Sequence, residues 1–272
     1  NRAKDLINQG NTYDAIVYVR NSENKEILHT VQVYLDGNIK TNPKFALDSA
    51  AQYDRAFQNK TNILEKTKTE ISDRATSLVN KNKIYEAIAY ANNSQDLQII
   101  TDISKKVYEN ARNLLDKGQI HEAIDYANRS NDSGIIKSIK GDISNRAKDL
   151  INQGNTYDAI VYAKKSGNQE IVNGVNGYLD EKLSNNIKTN PKFVLDSAVQ
   201  FDRAYQNKTN VFGRAKKEIS NRVETLINEG NTHDAIVYAN KSGNQEIINN
   251  AANYAISIIN NNIDKNPKFA LD

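Results

Sequence analysis

Apolar residues recur every three to four positions along extended stretches of this chain. One series occupies Ile136, Ile139, Ile143, Ala147, Leu150 and Ile151 and stops before Gly154. A parallel series occupies Leu97, Ile100, Ile103, Val107, Ala111, Leu114 and Leu115 and stops before Gly118. This spacing is typical of the apolar face of an α-helix, so each series predicts one long amphipathic helix.

A shorter apolar series follows each turn. After Gly154 it covers residues 157–163 and ends near Gly167, which predicts a short second helix. Glycine suits the left-handed conformation that ends a helix, so Gly154 is expected to terminate the long helix. Thr156 is expected to cap the short helix, and Asp158 is expected to lie favourably at its positive end. Each unit is therefore predicted to be a helical hairpin.

Two kinds of turn alternate along the chain. Glycine-type hairpins carry a Gly-Asn turn or a related polar turn, such as the one at Asn82. Proline-type hairpins instead carry Asn42-Pro43, Asn190-Pro191 and Asn266-Pro267. Because proline suits the first turn of a helix, these dipeptides predict the start of the second helix.

The chain contains internal repeats. The segment NRAKDLINQGNTYDAIVY begins at Asn1 and returns unchanged at Asn145, and looser copies begin at Asp73, Glu109 and Asn221. The starts differ by 72, 36, 36 and 76 residues, which indicates a period of about 36 with one four-residue excess. The four additional residues are seen when two segments are compared: LDGNIKTNPKF begins at Leu35, and its counterpart LDEKLSNNIKTNPKF begins at Leu179. The second segment is longer by about one helical turn.

Repetition at this period predicts an all-α fold in which each unit buries its apolar face against its neighbours. We expect one array over residues 1–272, without a linker, of about eight helix-turn-helix repeats starting near 1, 37, 73, 109, 145, 181, 221 and 257. The chain is interpreted as a segment of a longer repeat protein, because neither end has the polar face of a capping repeat.

The glycine-type hairpins resemble tetratricopeptide (TPR) repeats. In GNTYDAIVYA, Gly154 stands five residues before Ala159 and seven after Ala147. The same spacing holds for Ala3, Gly10 and Ala15; for Ala111, Gly118 and Ala123; and for Ala75, Asn82 and Ala87. In that family the two small residues pack against each other across the turn. The second helix here is shorter and the family's closing proline is missing, and the spacing is also similar to that of the RNA-reading pentatricopeptide (PPR) repeats.

The resemblance implies a right-handed α-solenoid whose long helices line a concave face. Exposed positions on that face are Lys4, Asn8, Asn80, Arg112, Asp116, Lys148, Asn152 and Asn228. In TPR proteins such Asn and Lys residues can hold a peptide backbone or a terminal carboxylate, since an amide both donates and accepts hydrogen bonds. These eight residues, called the predicted face below, are the candidate partner-binding site, although a merely solvated polar face is the simpler interpretation of any one of them.

The amino-acid composition excludes or disfavours several classes of function. The net charge is +3, with acidic and basic residues interspersed, so nucleic-acid binding is disfavoured. There is no cysteine, which excludes disulfides and thiolate metal sites. No window approaches the length and apolarity of a membrane span. A cytoplasmic and a secreted or surface location both remain open.

No catalytic, cofactor or metal site is expected. The three histidines, His29, His121 and His233, have no partner at metal-ligand spacing, and two of them take the place of a tyrosine in sister units. One carboxylate per repeat stands at a short-helix start, where capping and the helix dipole explain it: Asp14, Glu86, Glu122, Asp158 and Asp234. A tyrosine three residues after the second alanine recurs and is interpreted as packing: Tyr18, Tyr90, Tyr126, Tyr162 and Tyr238.

Three functions remain open. The first is a non-enzymatic scaffold that binds a protein or peptide partner on its long-helix face. The second is a structural or surface-exposed spacer or filament array that self-associates, which the near-verbatim duplication favours. The third is PPR-like RNA binding, which the modest charge disfavours.

Overall fold

The protein is represented by a computed structural model that describes residues 2–21, 29, 33–34 and 36–262. Within those residues the regular structure is helical. The helices are α1 (Arg2–Asn8), α2 (Thr12–Asn21), α3 (Pro43–Ala56), α4 (Ile63–Asn80), α5 (Ile84–Ser94), α6 (Leu97–Asp116), α7 (Ile120–Arg129), α8 (Ser133–Asn152), α9 (Thr156–Lys165), α10 (Gln169–Asn186), α11 (Pro191–Ala204), α12 (Val211–Asn228), α13 (Thr232–Ser242) and α14 (Gln245–Asn262). Residues 36–39 are also helical.

The chain divides into two compact units, residues 1–139 and 140–272. In the first unit α4 packs against α6, both long first helices, while the short second helices α3, α5 and α7 follow one another in contact. In the second unit the first helices α12 and α14 pack against each other, and the second helices α9, α11 and α13 follow one another in contact. Each unit is therefore an all-α solenoid of stacked helical hairpins, as the sequence predicts. The single continuous array over 1–272 remains a prediction.

The core of each hairpin follows the predicted helical period. In α6 the buried residues are Ile99, Ile103, Val107, Ala111 and Leu115. The small residues of the repeat are almost completely buried: Ala3, Ala15, Ala75, Ala87, Ala111, Ala123, Ala147 and Ala159. Their lack of bulk lets the two helices of a hairpin approach closely. In the hairpin of α12 and α13, Val223 stands opposite Ala235 and is also buried.

The glycine turns have the predicted conformation. Gly154 has φ +80°, and Asn82, which replaces glycine in its hairpin, has φ +61°. The N–H of Gly154 donates to the carbonyl of Ile151 at 2.9 Å, and that of Asn155 donates to the carbonyl of Leu150 at 2.8 Å. This pair of bonds satisfies carbonyls that the helix end would otherwise leave unpaired.

The prediction that Thr156 caps the short helix is wrong. The capping position belongs to Asn155, whose side chain makes no capping hydrogen bond. Thr156 is the first helical residue, and its side chain is fully buried. The hydroxyl of Thr156 is buried without a hydrogen-bond partner among the described residues, whereas that of the equivalent Thr12 donates to the Ser49 hydroxyl at 2.9 Å in the following hairpin. A residue that faces the neighbouring hairpin cannot also turn back onto its own helix.

Four of the repeat starts read from the sequence fall within helices and not at helix ends. The positions near 73, 109, 145 and 221 lie inside long helices that begin at Ile63, Leu97, Ser133 and Val211. The reason is that the recurring segment contains only the second half of each long helix, the turn and the short helix. The four additional residues, 181–184, lie within α10, as predicted.

The proline-type hairpins begin their second helices as predicted. The side-chain oxygen of Asn42 accepts the N–H of Phe45 at 3.2 Å, and Pro43 opens α3. Asn190 and Pro191 make the same arrangement at α11. The third proline turn, Asn266-Pro267, lies outside the described residues.

Candidate functional site: a polar face and a groove

The residues of the predicted face lie on or at the end of long helices, beside the buried stripe. Lys4 and Asn8 follow the buried Ala3 and Ile7 on α1, and Asn80 follows the buried Val79 at the end of α4. Seven of the eight are exposed and Lys148 is half-buried. The first unit holds Lys4, Asn8, Asn80, Arg112 and Asp116, and the second unit holds Lys148, Asn152 and Asn228. Their role in binding a partner remains a prediction.

Three of these asparagines join one hairpin to the next. The Tyr178 hydroxyl donates to Asn152 Oδ1 at 2.8 Å, and the Tyr254 hydroxyl donates to Asn228 Oδ1 at 2.9 Å. The Tyr34 hydroxyl makes the same bond to Asn8. These asparagines therefore also link neighbouring hairpins, because each amide oxygen accepts a hydrogen bond from the first helix of the following hairpin. The pairs are 26 residues apart, and a search for tyrosine at that distance would have found them.

Charged groups reinforce the same junctions. The Lys140 ammonium lies 2.8 Å from the Glu170 carboxylate, and the Lys68 ammonium lies 3.5 Å from that of Asp96. The hydrogen bond and charge of Lys140 lower the pKa of Glu170. Lys148 Nζ is 5.3 Å from the centre of the Tyr178 ring, within the range of a cation–π contact. Exposed pairs of this kind stabilise little, so they align hairpins without fixing a binding site.

A second recurring pair lies inside each hairpin. An arginine guanidinium lies over the ring of the tyrosine 16 residues later, with Cζ 5.4–5.7 Å from the ring centre. The pairs are Arg2 with Tyr18, Arg74 with Tyr90, Arg146 with Tyr162 and Arg222 with Tyr238. The guanidinium covers the tyrosine and fills the space between the two helices at this point.

The packing interpretation of the recurring tyrosines is confirmed at three positions. Tyr90, Tyr126 and Tyr238 are 9%, 8% and 7% exposed. The hydroxyls of Tyr90 and Tyr238 donate to the carbonyls of Ile39 and Ile187 in the preceding hairpin.

The remaining two tyrosines differ. Tyr162 is half-buried. At Tyr18 the interpretation is wrong, because its side chain is 46% exposed.

The hairpin of α6 and α7 departs from the arginine pattern. Asn110 takes the arginine position, and its Nδ2 donates to the Tyr126 hydroxyl at 3.0 Å. Arg129, from the end of α7, lies over the Tyr126 ring at 5.4 Å. Asparagine is much shorter than arginine, and the guanidinium over this ring comes from the end of α7 instead of from the long helix.

An open groove of about 1100 Å³ lies at this point in the first unit, between α6, α7 and the end of α4. Its amide side chains are Asn80, Asn82, Asn110, Asn113 and Asn128, and its charged side chains are Lys117, Glu122, Asp125 and Arg129. Asn80 is the one member of the predicted face that lines it. Comparing the hairpins position by position would have shown Asn110 standing where four sisters have arginine.

The buried carboxylates of the chain are structural. Asp54 and Asp202 are 9% and 8% exposed. Asp202 accepts the hydroxyl of Thr209 at 2.6 Å and the backbone N–H groups of Val211 and Phe212 at 2.9 and 3.0 Å. Burial acts to raise the pKa of Asp202, but these hydrogen bonds outweigh it and hold the pKa below its usual value. Asp202 is thus an ionised cap for α12, and Asp54 caps α4 in the same way.

The residues considered for other chemistry are exposed. His121 lies 3.4 Å from the Asp125 carboxylate with most of its side chain in solvent, and His29 and His233 are also exposed. The recurring acidic residues occupy the first turns of the short helices, as predicted: Asp14, Glu86, Glu122, Asp158 and Asp234. Among the described residues, no three His, Cys, Asp or Glu side chains come together as metal ligands. The same part of the chain contains no helix with the length and apolarity needed to cross a membrane.

Comparison with known proteins gives a remote structural similarity and no family. No protein-family model matches the chain, and no curated protein matches it. A solved structure described as a circular tandem repeat protein with novel repeat topology and enhanced subunit contact surfaces is similar to it at 13% identity. The match covers 95% of this chain and 84% of that one, with a TM-score of 0.21. At these values the similarity supports no argument about function.

Proposed function

We propose that this protein is a non-enzymatic scaffold whose helical hairpins bind a protein or peptide partner through their polar surface. One observation carries the proposal. The junctions within and between hairpins recur with the same residue pairs, whereas the hairpin of α6 and α7 replaces the recurring arginine with Asn110 and opens a groove. Solenoids that bind partners typically keep the same packing contacts in every repeat and vary the exposed surface between repeats.

The chemistry of the exposed surface supports the same function. The predicted face offers amides, ammonium groups, a guanidinium and a carboxylate in solvent-accessible positions. Each of these groups can bond a peptide main chain or a terminal carboxylate. The finer assignment to a TPR-like repeat rests on the buried alanines of the glycine-type hairpins and on the positive φ of their turn residue.

Replacing Asn80, Asp116 and Asn152 together by alanine tests the role of the predicted face. The full chain would be immobilised and used to select binders from a peptide display library, and affinities would then be measured in solution. We expect the triple variant to lose about tenfold or more in affinity for the selected peptides. The control replaces Asn93, Asn185 and Asp234, which are also exposed but lie off this face. Equal binding by both variants would contradict a role for the predicted face.

A spacer or filament array is the second candidate, and the duplication of the junctions favours it. Asp54 in the first unit and Asp202 in the second each accept one threonine hydroxyl and two backbone N–H groups. Asn8 and Asn152 likewise each accept a hydrogen bond from an equivalent tyrosine, Tyr34 and Tyr178. Repeating modules with identical joints suit a structural role. Sedimentation of the full chain over a hundredfold range of concentration distinguishes the two, since only a filament-forming array should grow with concentration. RNA binding, the third candidate, would give a salt-sensitive shift of labelled single-stranded RNA.

A further inference from the structure

The groove between α6, α7 and the end of α4 is lined by Asn110, which stands where four sister hairpins have arginine. In the hairpin of α4 and α5, the Arg74 guanidinium occupies the corresponding space, 5.6 Å from the centre of the Tyr90 ring. At Asn110 the side chain ends in an amide that reaches only the Tyr126 hydroxyl. The tyrosine is retained and remains buried, so the hairpin keeps its packing while its surface gains a cavity.

The wall of the groove carries balanced charge and many hydrogen-bonding groups, beside the apolar side chains of Val79 and Leu114 and the ring of Tyr126. Two basic groups, on Lys117 and Arg129, face two acidic groups, on Glu122 and Asp125. The carboxylates disfavour a phosphate backbone, and the balance of charge gives no preference for a strongly charged ligand. The five asparagines each present a donor and an acceptor. This matches an extended polypeptide main chain, which offers one N–H and one C=O per residue.

The dimensions suit a short peptide segment. Glu122 and Arg129 mark the two ends of the α7 wall, two turns apart, which corresponds to about 10 Å along the helix. An extended chain advances about 3.3 Å per residue, so about three residues span that length. The volume of about 1100 Å³ is slightly above the range of about 300–1,000 Å³ for small-molecule pockets, and the groove is open along its side.

We infer that this groove binds a short, extended and uncharged stretch of a partner polypeptide, chiefly through its main chain. The inference rests on the proposed scaffold function, and it adds which kind of partner segment is bound and where on the protein it binds. The groove also differs from the predicted face in its construction, because the second helix α7 supplies much of its wall. The side chains of the bound stretch would point away from the asparagines, so the groove would tolerate several sequences.

Two variants test the groove without disturbing the hairpin. Asn110→Arg introduces the residue that four sister hairpins already hold over their tyrosine, and so fills the groove. Asn82→Gly removes one amide from the wall at a residue with φ +61°, where most sister turns have glycine. Asn185→Arg, on an exposed position of α10, is the matched control for the added charge. Circular dichroism melting curves would show whether each variant remains folded.

The probe is a library of random 12-residue peptides displayed on phage and selected on the full native chain, and every enriched peptide is then measured in solution against the native protein and against each variant. We expect enriched peptides with few charges that bind Asn110→Arg about tenfold or more weakly, Asn82→Gly several-fold more weakly, and Asn185→Arg unchanged. In synthetic copies, N-methylation of alternate backbone nitrogens should reduce affinity more than alanine substitution at the same residues.

Three results would overturn the inference. Peptides that bind the native protein and Asn110→Arg equally well would place binding elsewhere, and the scaffold function would stand without the groove. Enrichment of strongly charged peptides, or tolerance of N-methylation, would show that the groove does not read the main chain. A library that yields no binder at all would contradict both the groove and the scaffold function.

Discussion

The side chain of Gln52 completes the turn that precedes Tyr13. Its Oε1 accepts the backbone N–H of Tyr13 at 2.9 Å, and its Nε2 donates to the carbonyl of Gly10 at 3.2 Å. Gln200 makes the same two bonds, to Tyr157 at 3.1 Å and to Gly154 at 2.9 Å. Each glutamine belongs to the following proline-type hairpin. The short helix therefore receives from its neighbour a bond that its own capping residue does not supply.

Replacing this glutamine should weaken the solenoid. Gln200→Ala leaves the first turn of α9 without its donor–acceptor bridge, and we expect the free energy of unfolding to fall by about 1–2 kcal/mol, the usual cost of losing a helix cap. Urea unfolding followed by circular dichroism would measure it. Gln153→Ala, at an exposed residue of the same turn, is the control and should change stability by less than about 0.5 kcal/mol. An equal loss in both variants would contradict the bridging role.

The ionised caps make stability depend on pH. The pKa values of Asp54 and Asp202 are held below the usual value by hydrogen bonds that outweigh burial. Because the folded pKa is the lower one, the contribution of these caps is complete above the usual Asp pKa of about 3.9. It is lost as the pH falls through the folded pKa, since the unfolded chain then binds more protons.

Asp202→Asn tests this linkage. An amide has one oxygen where the carboxylate uses two, and we expect a loss of about 1–3 kcal/mol at pH 7, as for a buried hydrogen-bonded group. The difference from the native protein should shrink as the pH is lowered from 5 towards 3. Urea unfolding across that range, with the exposed Asp73→Asn as control, would measure it. A difference that stays constant with pH would show that the Asp202 carboxyl has the same pKa in the folded and the unfolded chain.

The solenoid fold could be predicted from the sequence because local sequence patterns determine its helices and turns. The period of Ile99, Ile103 and Val107 defines the buried face of α6, and a turn residue such as Gly118 needs only its own φ. The contacts of Gln52 and Asp54 were not accessible in the same way. Gln52 reaches a turn about forty residues earlier, and Asp54 reaches the start of the next helix, so neither belongs to a local motif.

The candidate site was only partly predictable for a related reason. The residues of the predicted face are exposed because they lie beside the buried residues of each long helix, and the helical spacing of apolar residues in the sequence is enough to predict that position. The partner of Asn152 lies in the next hairpin, and the meaning of Asn110 depends on knowing that arginine covers tyrosine in the sister hairpins. The absence of arginine at position 110 is informative only when the arginine–tyrosine contact of the sister hairpins is known.

The junction between Asn152 and Tyr178 should appear as a coupling energy. Tyr178→Phe removes the hydroxyl but keeps the ring beneath Lys148, so the cation–π contact is preserved. In a double-mutant cycle with Asn152→Ala we expect coupling of about 0.5–1 kcal/mol, since the bond is partly exposed. Combining Asn152→Ala with Tyr254→Phe is the control, because Tyr254 bonds Asn228 instead. Additive effects in the first cycle would show that the bond does not stabilise the fold.

The buried Tyr90 predicts a loss of stability at high pH. Burial raises its pKa to about 12, with smaller opposing effects from Arg74 and Glu70. In the unfolded chain a tyrosine ionises near pH 10, so between pH 10 and 12 the unfolded state has released a proton that the folded state still holds. Stability must therefore fall as the pH rises through this range, and the hydroxyl must lose its bond to the Ile39 carbonyl when it finally ionises.

Tyr90→Phe separates this effect from general alkaline unfolding. The variant should be less stable than the native protein at pH 7, because it leaves the Ile39 carbonyl without its donor, by about 1 kcal/mol. Between pH 10 and 12 its stability should fall less steeply, so the two curves should converge. Tyr85→Phe is the control, since Tyr85 is an exposed residue of the same helix and its removal should leave the slope unchanged. Parallel curves for the native protein and Tyr90→Phe would mean that Tyr90 ionises in the folded protein as readily as in the unfolded chain, and that its hydroxyl is not held in a buried bond.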